Sequence, residues 1–139
     1  MLVAASDTSS FLLVAGNVAL SMKGKAAVGA AATILRHDSQ TLAYINDAAK
    51  IDARGNTGLR THTGDRYVNG DLVTELFNGV AVTATSTQDV LGGAAGAAIT
   101  KEGSLGLSGS AVINIFDETT QAYIGAGTVI NSGNDVRVL

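Results

Sequence analysis

The stretch AVINIFDETTQAYIGAGTVINSGN at residues 111–134 decides the fold, because an earlier copy of it occupies residues 32–56. Identical residues recur in the two copies at a single spacing of 79 positions, as Tyr44 and Tyr123 do. The match extends backwards to Val3 without a gap and gives fourteen identities over 45 positions. A tandem repeat at a fixed period constrains the fold before any single motif does.

Beyond Ile45 we align the copies with one residue missing from the second. Ile51 is then predicted to face Val129, and Gly55-Asn56 is predicted to face Gly133-Asn134. Glycine and asparagine favour turns. Each copy is therefore expected to reach the same glycine-asparagine turn.

The chain is predicted to form a single β-rich segment over residues 1–139, with copy one at 3–59 and copy two at 82–138. The region between them, about 57–79, has no second copy and holds the most polar tract, THTGDRYVNGD. We interpret this region as a loop or hairpin that projects from the repeat. Because both copies start or stop inside a unit, we expect the chain to be an excerpt from a longer array.

The composition favours a narrow core, with 17 Gly, no Pro, Cys or Trp, and few aromatic residues among 139. Stacked small and β-branched side chains suit such a core. The net charge of −3, with scattered basic residues, argues against nucleic acid or an anionic membrane as a partner. The absence of cysteine excludes disulfides and thiolate metal sites.

No signal peptide is visible in the first residues, MLVAASDTSS, and we expect any such signal to lie outside this excerpt. The longest apolar run, residues 11–22, is interrupted by Asn17. It is also shorter than the ~20 residues that cross a bilayer. The sequence therefore predicts no membrane insertion.

Residues 40–54 have apolar spacings that suit a helix, but their counterpart, TQAYIGAGTVINSGN, is rich in glycine and has a Thr-Val-Ile run. Homologous units share a fold, so both segments are predicted to be strands. Short strands, separated by Gly, Asn, Asp and Ser turn signals, are predicted throughout the chain. They lie at 11–15, 18–21, 31–35, 41–45, 50–52, 72–77, 80–85, 97–101, 104–107, 111–116, 121–124, 128–130 and 135–139.

Many short strands within a repeat indicate a β-solenoid or a β-sandwich, and tandem identity favours the solenoid. In a parallel β-helix, successive coils share backbone hydrogen bonds and stack aligned apolar residues inward. Coils of roughly twenty to twenty-five residues would give about three per unit. The side chains predicted to point inward are Ile34, Ala43, Ile45, Ile51, Ile113, Ile115, Ala122, Ile124, Ile130, Val136 and Val138.

The pairing of GVAVTATSTQDVLGGAAGAA with LGLSGSAVINIFDETTQAYIGAGTVINSG resembles the repeats of large bacterial filamentous haemagglutinin-like adhesins. In those repeats an apolar strand leads into D-x-T-T-x-A-Y-I-G and then a glycine-rich rung. Residues 111–133 match this pattern, and residues 32–55 match it in weakened form, with Asn46 at the glycine position. The resemblance implies tandem units of about 79 residues in a right-handed parallel β-helix. It also implies an exported shaft segment without catalytic residues.

Neither histidine makes a convincing catalytic or metal site. His37 precedes Asp38, the order of a general base and its orienting carboxylate, but the second copy has Phe116 at the histidine position. A packed or surface histidine is the better interpretation. His62 has no acidic neighbour in sequence, and the two histidines lack a zinc-ligand spacing.

The one candidate metal site is in the polar region. Asp65, Asn69 and Asp71 offer oxygen ligands at alternating positions that suit calcium, although the chain has no EF-hand pattern. A solvated turn is the competing interpretation. Gly125-Ala126-Gly127 lacks the third glycine of a phosphate loop and is predicted to be a turn.

Threonine pairs raise a further alternative, ice binding by a flat face. They occur at Thr61-His62-Thr63, Thr83-Ala84-Thr85 and Thr85-Ser86-Thr87. Threonine is common on strands for reasons of propensity alone, which makes this alternative the weaker interpretation.

Together with the repeat, the resemblance to haemagglutinin-like adhesins implies a non-enzymatic adhesion module without cofactors, secreted or on a bacterial cell surface, which serves as a long, rigid spacer. Its expected partners are a surface receptor or glycan, and other copies of the chain through homo-oligomers or end-to-end filaments. The competing hypotheses are a carbohydrate-active or carbohydrate-binding β-helix, and a filament subunit whose main role is self-assembly.

Overall fold

A computed structural model describes residues 1–22, 26–55, 58–100 and 105–139, and these residues form strands and turns without a helix. The prediction of an all-β chain is confirmed. No helix long and apolar enough to span a membrane occurs in the described residues. The strands are β1 Leu2–Ser21, β2 Ala26–Ile45, β3 Lys50–Ala53, β4 Leu59–Arg66, β5 Leu72–Phe77, β6 Gly79–Thr100, β7 Leu105–Ile124, β8 Val129–Ser132 and β9 Asp135–Val138.

Some predictions fall on residues that the structure does not describe. Asn56 of the predicted Gly55-Asn56 turn lies outside the described residues, and so does residue 57 at the start of the polar region. The adjoining ends of the predicted strands 97–101 and 104–107 lie outside them as well.

Four strands are much longer than predicted: β1, β2 and β7 each have 20 residues and β6 has 22. No proline interrupts them, and side chains alternate between the two faces along β1 and β2. Asn17 lies between the predicted strands 11–15 and 18–21 but is inside β1, and its amide donates to the carbonyl of Gly109 in β7 at 2.7 Å. Because its polar group is bonded to a neighbouring strand and not to its own backbone, asparagine does not end the strand here.

The repeat copies pair strand by strand. The sheets have the orders β1-β6-β9, β2-β7, β3-β8 and β4-β5. In the parallel pair β3-β8, Ile51 lies opposite Ile130 and Ala53 opposite Ser132. The spacing of 79 is therefore maintained, and the prediction that Ile51 faces Val129 is wrong.

The constant spacing has a local cause, since the two turns that precede β3 and β8 have the same length and conformation. Ala48 has φ 55° and Gly127, 79 positions later, has φ 68°. No residue is lost between the copies at this point, so both enter the following strand in the same register.

The pairings form four separate sheets of two or three strands, with no sheet closed on itself. The predicted parallel β-helix is therefore not confirmed in the described part of the chain. Strands β6 and β9 pair in parallel with a spacing of 56 residues, Val80 opposite Val136 and Val82 opposite Val138. The hairpin β4-β5 lies in the chain between β3 and β6, and the second copy runs from β8 to β9 without an equivalent hairpin.

The chain divides into two compact units. The first comprises residues 1–8, 39–87 and 119–139. Its core contains Ala43, Ile45, Val80, Val82 and Ala84. Four of the residues predicted to point inward pack against this core while partly buried, namely Ile51, Ala122, Ile124 and Ile130. For these and for the buried Ala43 and Ile45, the prediction is confirmed.

Other predicted core positions are wrong. Ile34, Ile113 and Ile115 are 66, 47 and 50% exposed. Side chains alternate along a continuous strand, so Ile34 and Ile45, eleven positions apart in β2, point to opposite faces. Val136 and Val138 lie opposite the core residues Val80 and Val82 and point to the same face, as predicted. They are nevertheless 48 and 43% exposed, because β9 is the last strand of its sheet.

The second unit comprises residues 9–38 and 88–118. Here β1 and β2 belong to different sheets and face each other, since a Cβ on Gly29 would lie 2.7 Å from Oδ1 of Asn17. Thr33 also donates through Oγ1 to the carbonyl of Val14 at 3.1 Å. Small side chains allow this close approach of the two layers.

Candidate functional site

The most extensive set of specific contacts joins equivalent residues of the two copies. Backbone hydrogen bonds run from Gly125 N to Ile45 O at 2.8 Å and from Val129 N to Ala49 O at 2.9 Å. Between them, Ala48 N donates to Ala126 O at 2.9 Å. The parallel pairing therefore continues through the turns, so that the copies meet with equivalent residues side by side.

Side chains follow the same register. The rings of Tyr44 and Tyr123 are stacked, with centroids 5.2 Å apart and planes 7° apart. Beside them, Asp47 Oδ1 accepts from Ala126 N at 2.8 Å, and Thr128 Oγ1 donates to Asn46 O at 3.1 Å. The two tyrosines therefore occupy equivalent positions in the two copies, as the repeat predicts. They also lie side by side, so the prediction of about three coils of roughly twenty to twenty-five residues per unit, which would separate them, is wrong.

The turn chemistry explains one difference between the copies. A Cβ on Gly125 would lie 2.5 Å from the backbone nitrogen of Asp47, too close for any side chain. The equivalent residue in copy one is Asn46, whose Oδ1 accepts from Asp47 N at 3.1 Å. Glycine is required where one turn lies directly on another. Gly125-Ala126-Gly127 is thus a turn between strands, as predicted.

In the second unit, an aromatic group joins three strands. The ring of His37 lies 4.8 Å from that of Phe11 and 6.1 Å from that of Phe116, its equivalent in the second copy. Asp38 lies on the opposite face of β2, where it pairs with Arg36 at 3.3 Å. The structure does not bring His37 and Asp38 together as a catalytic pair, which agrees with a packed histidine.

A polar cluster around Asn17 was missed by the sequence reasoning. Its Nδ2 donates to the carbonyl of Gly109 at 2.7 Å and to Ser110 Oγ at 3.2 Å, and Ser108 Oγ donates to its Oδ1. Ser110 Oγ also donates to the carbonyl of Ala95 at 2.6 Å. The only signal in the sequence was an asparagine within an apolar stretch.

The polar region contains the antiparallel hairpin β4-β5, with Leu59 opposite Phe77 and His62 opposite Thr74. An irregularity in register lies between His62 and Arg66. At the tip, Tyr67 N donates to Asp71 O at 2.8 Å. The asparagine-glycine pair of the tract THTGDRYVNGD forms a turn at Asn69-Gly70.

The residues of the calcium hypothesis lie at this tip. Thr63 Oγ1 donates to the Asp65 carboxylate at 3.2 Å, and Asn69 Nδ2 donates to Asp71 at 2.7 Å. No group of three or more acidic or histidine side chains suited to a metal ion occurs in the part of the chain that is described. Asp65, Asn69 and Asp71 remain a predicted site.

The hairpin is held against the rest of the first unit. Arg66 Nη2 donates to Thr87 Oγ1 of β6 at 3.2 Å. Arg137 of β9 pairs with Glu75 at 2.5 Å, and its guanidinium lies 4.5 Å from the centre of the Phe77 ring. These contacts fix the hairpin to both β6 and β9.

Burial, together with the positive charges of Arg137 and Arg66, lowers the pKa of His62.

Two threonines of the ice-binding hypothesis, Thr61 and Thr83, are only 5 and 2% exposed. An ice-binding face must be open to water, so the structure gives that alternative no support.

No family model, curated protein or solved structure matches this chain. The resemblance to haemagglutinin-like repeats therefore remains a prediction from the sequence.

Proposed function

We propose that this chain is a non-enzymatic structural module: a repeat segment of an exported, adhesin-like shaft, in which further units stack along the strand edges as a right-handed β-solenoid. The observation that supports it most is the parallel pairing of equivalent residues at a constant spacing of 79, seen in Ile51 and Ile130 and in the stacked tyrosines. A unit that pairs with its own copy in register offers the same pattern to the next unit.

The proposed mechanism uses the free strand edges. Strand β7 pairs with β2 alone among the described strands, so its other edge presents unpaired N–H and C=O groups. Such an edge accepts an equivalent strand of another unit through the backbone hydrogen bonds that β2 and β7 already share. Repetition of the unit makes the shaft long and rigid. The outward side chains and the hairpin contact the cell surface or the host.

Sedimentation velocity over a wide range of protein concentration tests the proposal. We expect dimers and longer assemblies that increase with concentration, and filaments by electron microscopy. A clean monomer at every concentration would contradict it.

Two proline substitutions on β7 sharpen the test. Because Gly125 N points to β2, odd-numbered residues of β7 direct their N–H groups towards β2 and even-numbered ones away from it. Thr120→Pro should therefore block assembly and leave the monomer folded, since proline is tolerated where the N–H faces solvent. Thr119→Pro is the matched control, and should destabilise the monomer itself.

A further inference from the structure

The hairpin β4-β5 and the outward face of β1 and β6 leave a cleft of about 260 Å³ within the first unit. From the hairpin, Arg60, Thr61, His62 and Thr74 line it. Drug-sized ligands occupy pockets of roughly 300 to 1,000 Å³, so this cleft suits a smaller molecule.

The floor of the cleft is part hydroxyl and part apolar. Ser6 and Thr85 line it from β1 and β6, beside the side chains of Leu2, Ala4 and Leu72. Hydroxyls next to small apolar surfaces suit a ligand that has both polar edges and a C–H face, which is the chemistry of a sugar ring.

The cleft carries no negative charge, since its lining contains a guanidinium and an imidazole but no carboxylate. Arg60 Nη1 donates to Thr74 Oγ1 at 2.9 Å. Its Nε and Nη2 have no hydrogen-bond or ion-pair partner within the described ranges. A guanidinium binds a carboxylate through two parallel N–H donors, and Arg60 has such donors available.

Two residues of the lining, Thr61 and His62, also have buried polar atoms without a hydrogen-bond partner among the described residues. They are consecutive in β4, so their side chains point to opposite faces of the hairpin. These buried atoms are therefore not assigned to the ligand, and the donors of Arg60 and the hydroxyls of Ser6 and Thr85 are the polar groups open to it.

We infer that this cleft binds an acidic monosaccharide unit, a sugar ring with a carboxylate, as found in acidic glycans. Arg60 binds the carboxylate, the hydroxyls of Ser6 and Thr85 bind sugar hydroxyls, and Leu2 and Leu72 contact the ring. The inference rests on the contact role proposed for the hairpin, and is independent of whether units stack into a shaft.

The test is an NMR titration of dilute, isotopically labelled chain with glucuronate, acetate and glucose. Glucuronate should bind saturably and shift the signals of Arg60 and Thr85. Acetate and glucose should each bind at least about tenfold more weakly, because acetate lacks the sugar ring and glucose lacks the carboxylate. Equal binding of acetate or of glucose would overturn the inference, as would the absence of saturable glucuronate binding. Sedimentation behaviour would be unaffected by such a failure, so it leaves the proposed function standing.

Variants locate the site. Arg60→Gln should weaken glucuronate binding at least about tenfold, while Arg36→Gln, an exposed arginine of the second unit, should leave it unchanged. Thr85→Val retains the contact between Arg60 and Thr74 and should weaken binding severalfold, so it decides the question if Arg60→Gln fails to fold. Unchanged binding in a folded Arg60→Gln or in Thr85→Val would contradict the assignment.

Discussion

Strands β1, β2, β6 and β7 run through both units, but the two interiors differ in polarity. In the first unit, valine, isoleucine and alanine are buried, with Val80 and Val82 fully inaccessible. In the second, Leu13 and three alanines are buried as well, but the serine and asparagine cluster at Asn17 also lies between the layers. Large apolar residues are exposed on its outer faces, where Leu12, Val14 and Val18 are 71 to 73% exposed. Apolar burial therefore stabilises both units, and polar contacts between the layers are added in the second.

The largest expected effect concerns the close approach of β9 to β6 in the first unit. Gly79 has φ 132°, and a Cβ there would overlap the carbonyl oxygen of Asp135. Gly79→Ala should lower the free energy of unfolding by about 3 kcal/mol and release β9. Urea denaturation measures the change. Gly93→Ala, with no atom within 4 Å of its Cβ, is the control and should change stability by less than about 0.5 kcal/mol. Equal effects would show that β9 does not lie over Gly79.

A smaller effect contrasts a buried side chain of the first unit with an outward-facing one of the second. Val82→Ala removes a side chain with 0% exposure and should cost about 2 kcal/mol. Val14→Ala in the second unit removes one that is 71% exposed and should cost less than about 0.5 kcal/mol. Similar losses in urea denaturation would contradict the burial of Val82 or the exposure of Val14.

The tyrosine pair tests side-chain register. A double-mutant cycle of Tyr44→Ala and Tyr123→Ala should give a coupling energy of about 1 kcal/mol from the stacked rings. The same cycle with Tyr67→Ala, at the exposed hairpin tip, in place of Tyr123→Ala should give none. Coupling that is equal in both cycles would argue against the stack.

The smallest effect is a pH dependence from His62, whose pKa burial and two arginines lower. The unfolded chain takes up a proton near the ordinary pKa of about 6.5, while the folded chain resists protonation until lower pH. Stability should therefore fall as the pH decreases below about 6.5. His62→Gln should reduce this slope in urea denaturation at several pH values. An unchanged slope would assign the dependence to other groups.

The comparison also shows what the sequence could predict. The period of 79 predicted that Tyr44 and Tyr123 would occupy equivalent positions in the two copies, which is correct. It did not predict that they lie side by side, because coils of roughly twenty to twenty-five residues would have separated them. The sequence predicted the wrong face for Ile34 because it was divided into short strands. In each short strand, the choice of which alternate residues point inward is made anew. In the continuous β2, the buried Ala43 and Ile45 fix Ile34 on the outer face.

The cleft could not be predicted, because it depends on contacts far apart in the chain. Nothing local to Arg60 indicates that Ser6 and Thr85 line the same space. The hairpin was expected to project, whereas the bond from Arg66 to Thr87 and the pairing of Arg137 with Glu75 hold it down. Charge pairs between distant segments leave no periodic signal in a sequence.

The central claim is that the copies pair in parallel at a constant spacing of 79, which places Asp52 opposite Asn131. The most direct measurement is disulfide formation in the otherwise cysteine-free chain carrying Asp52→Cys and Asn131→Cys, since opposite strands lie about 4.8 Å apart and a disulfide spans that distance. The account predicts rapid, nearly complete closure within the monomer on mild oxidation. Faster closure of the pair Asp52→Cys and Ile130→Cys, which corresponds to a spacing of 78, would contradict it.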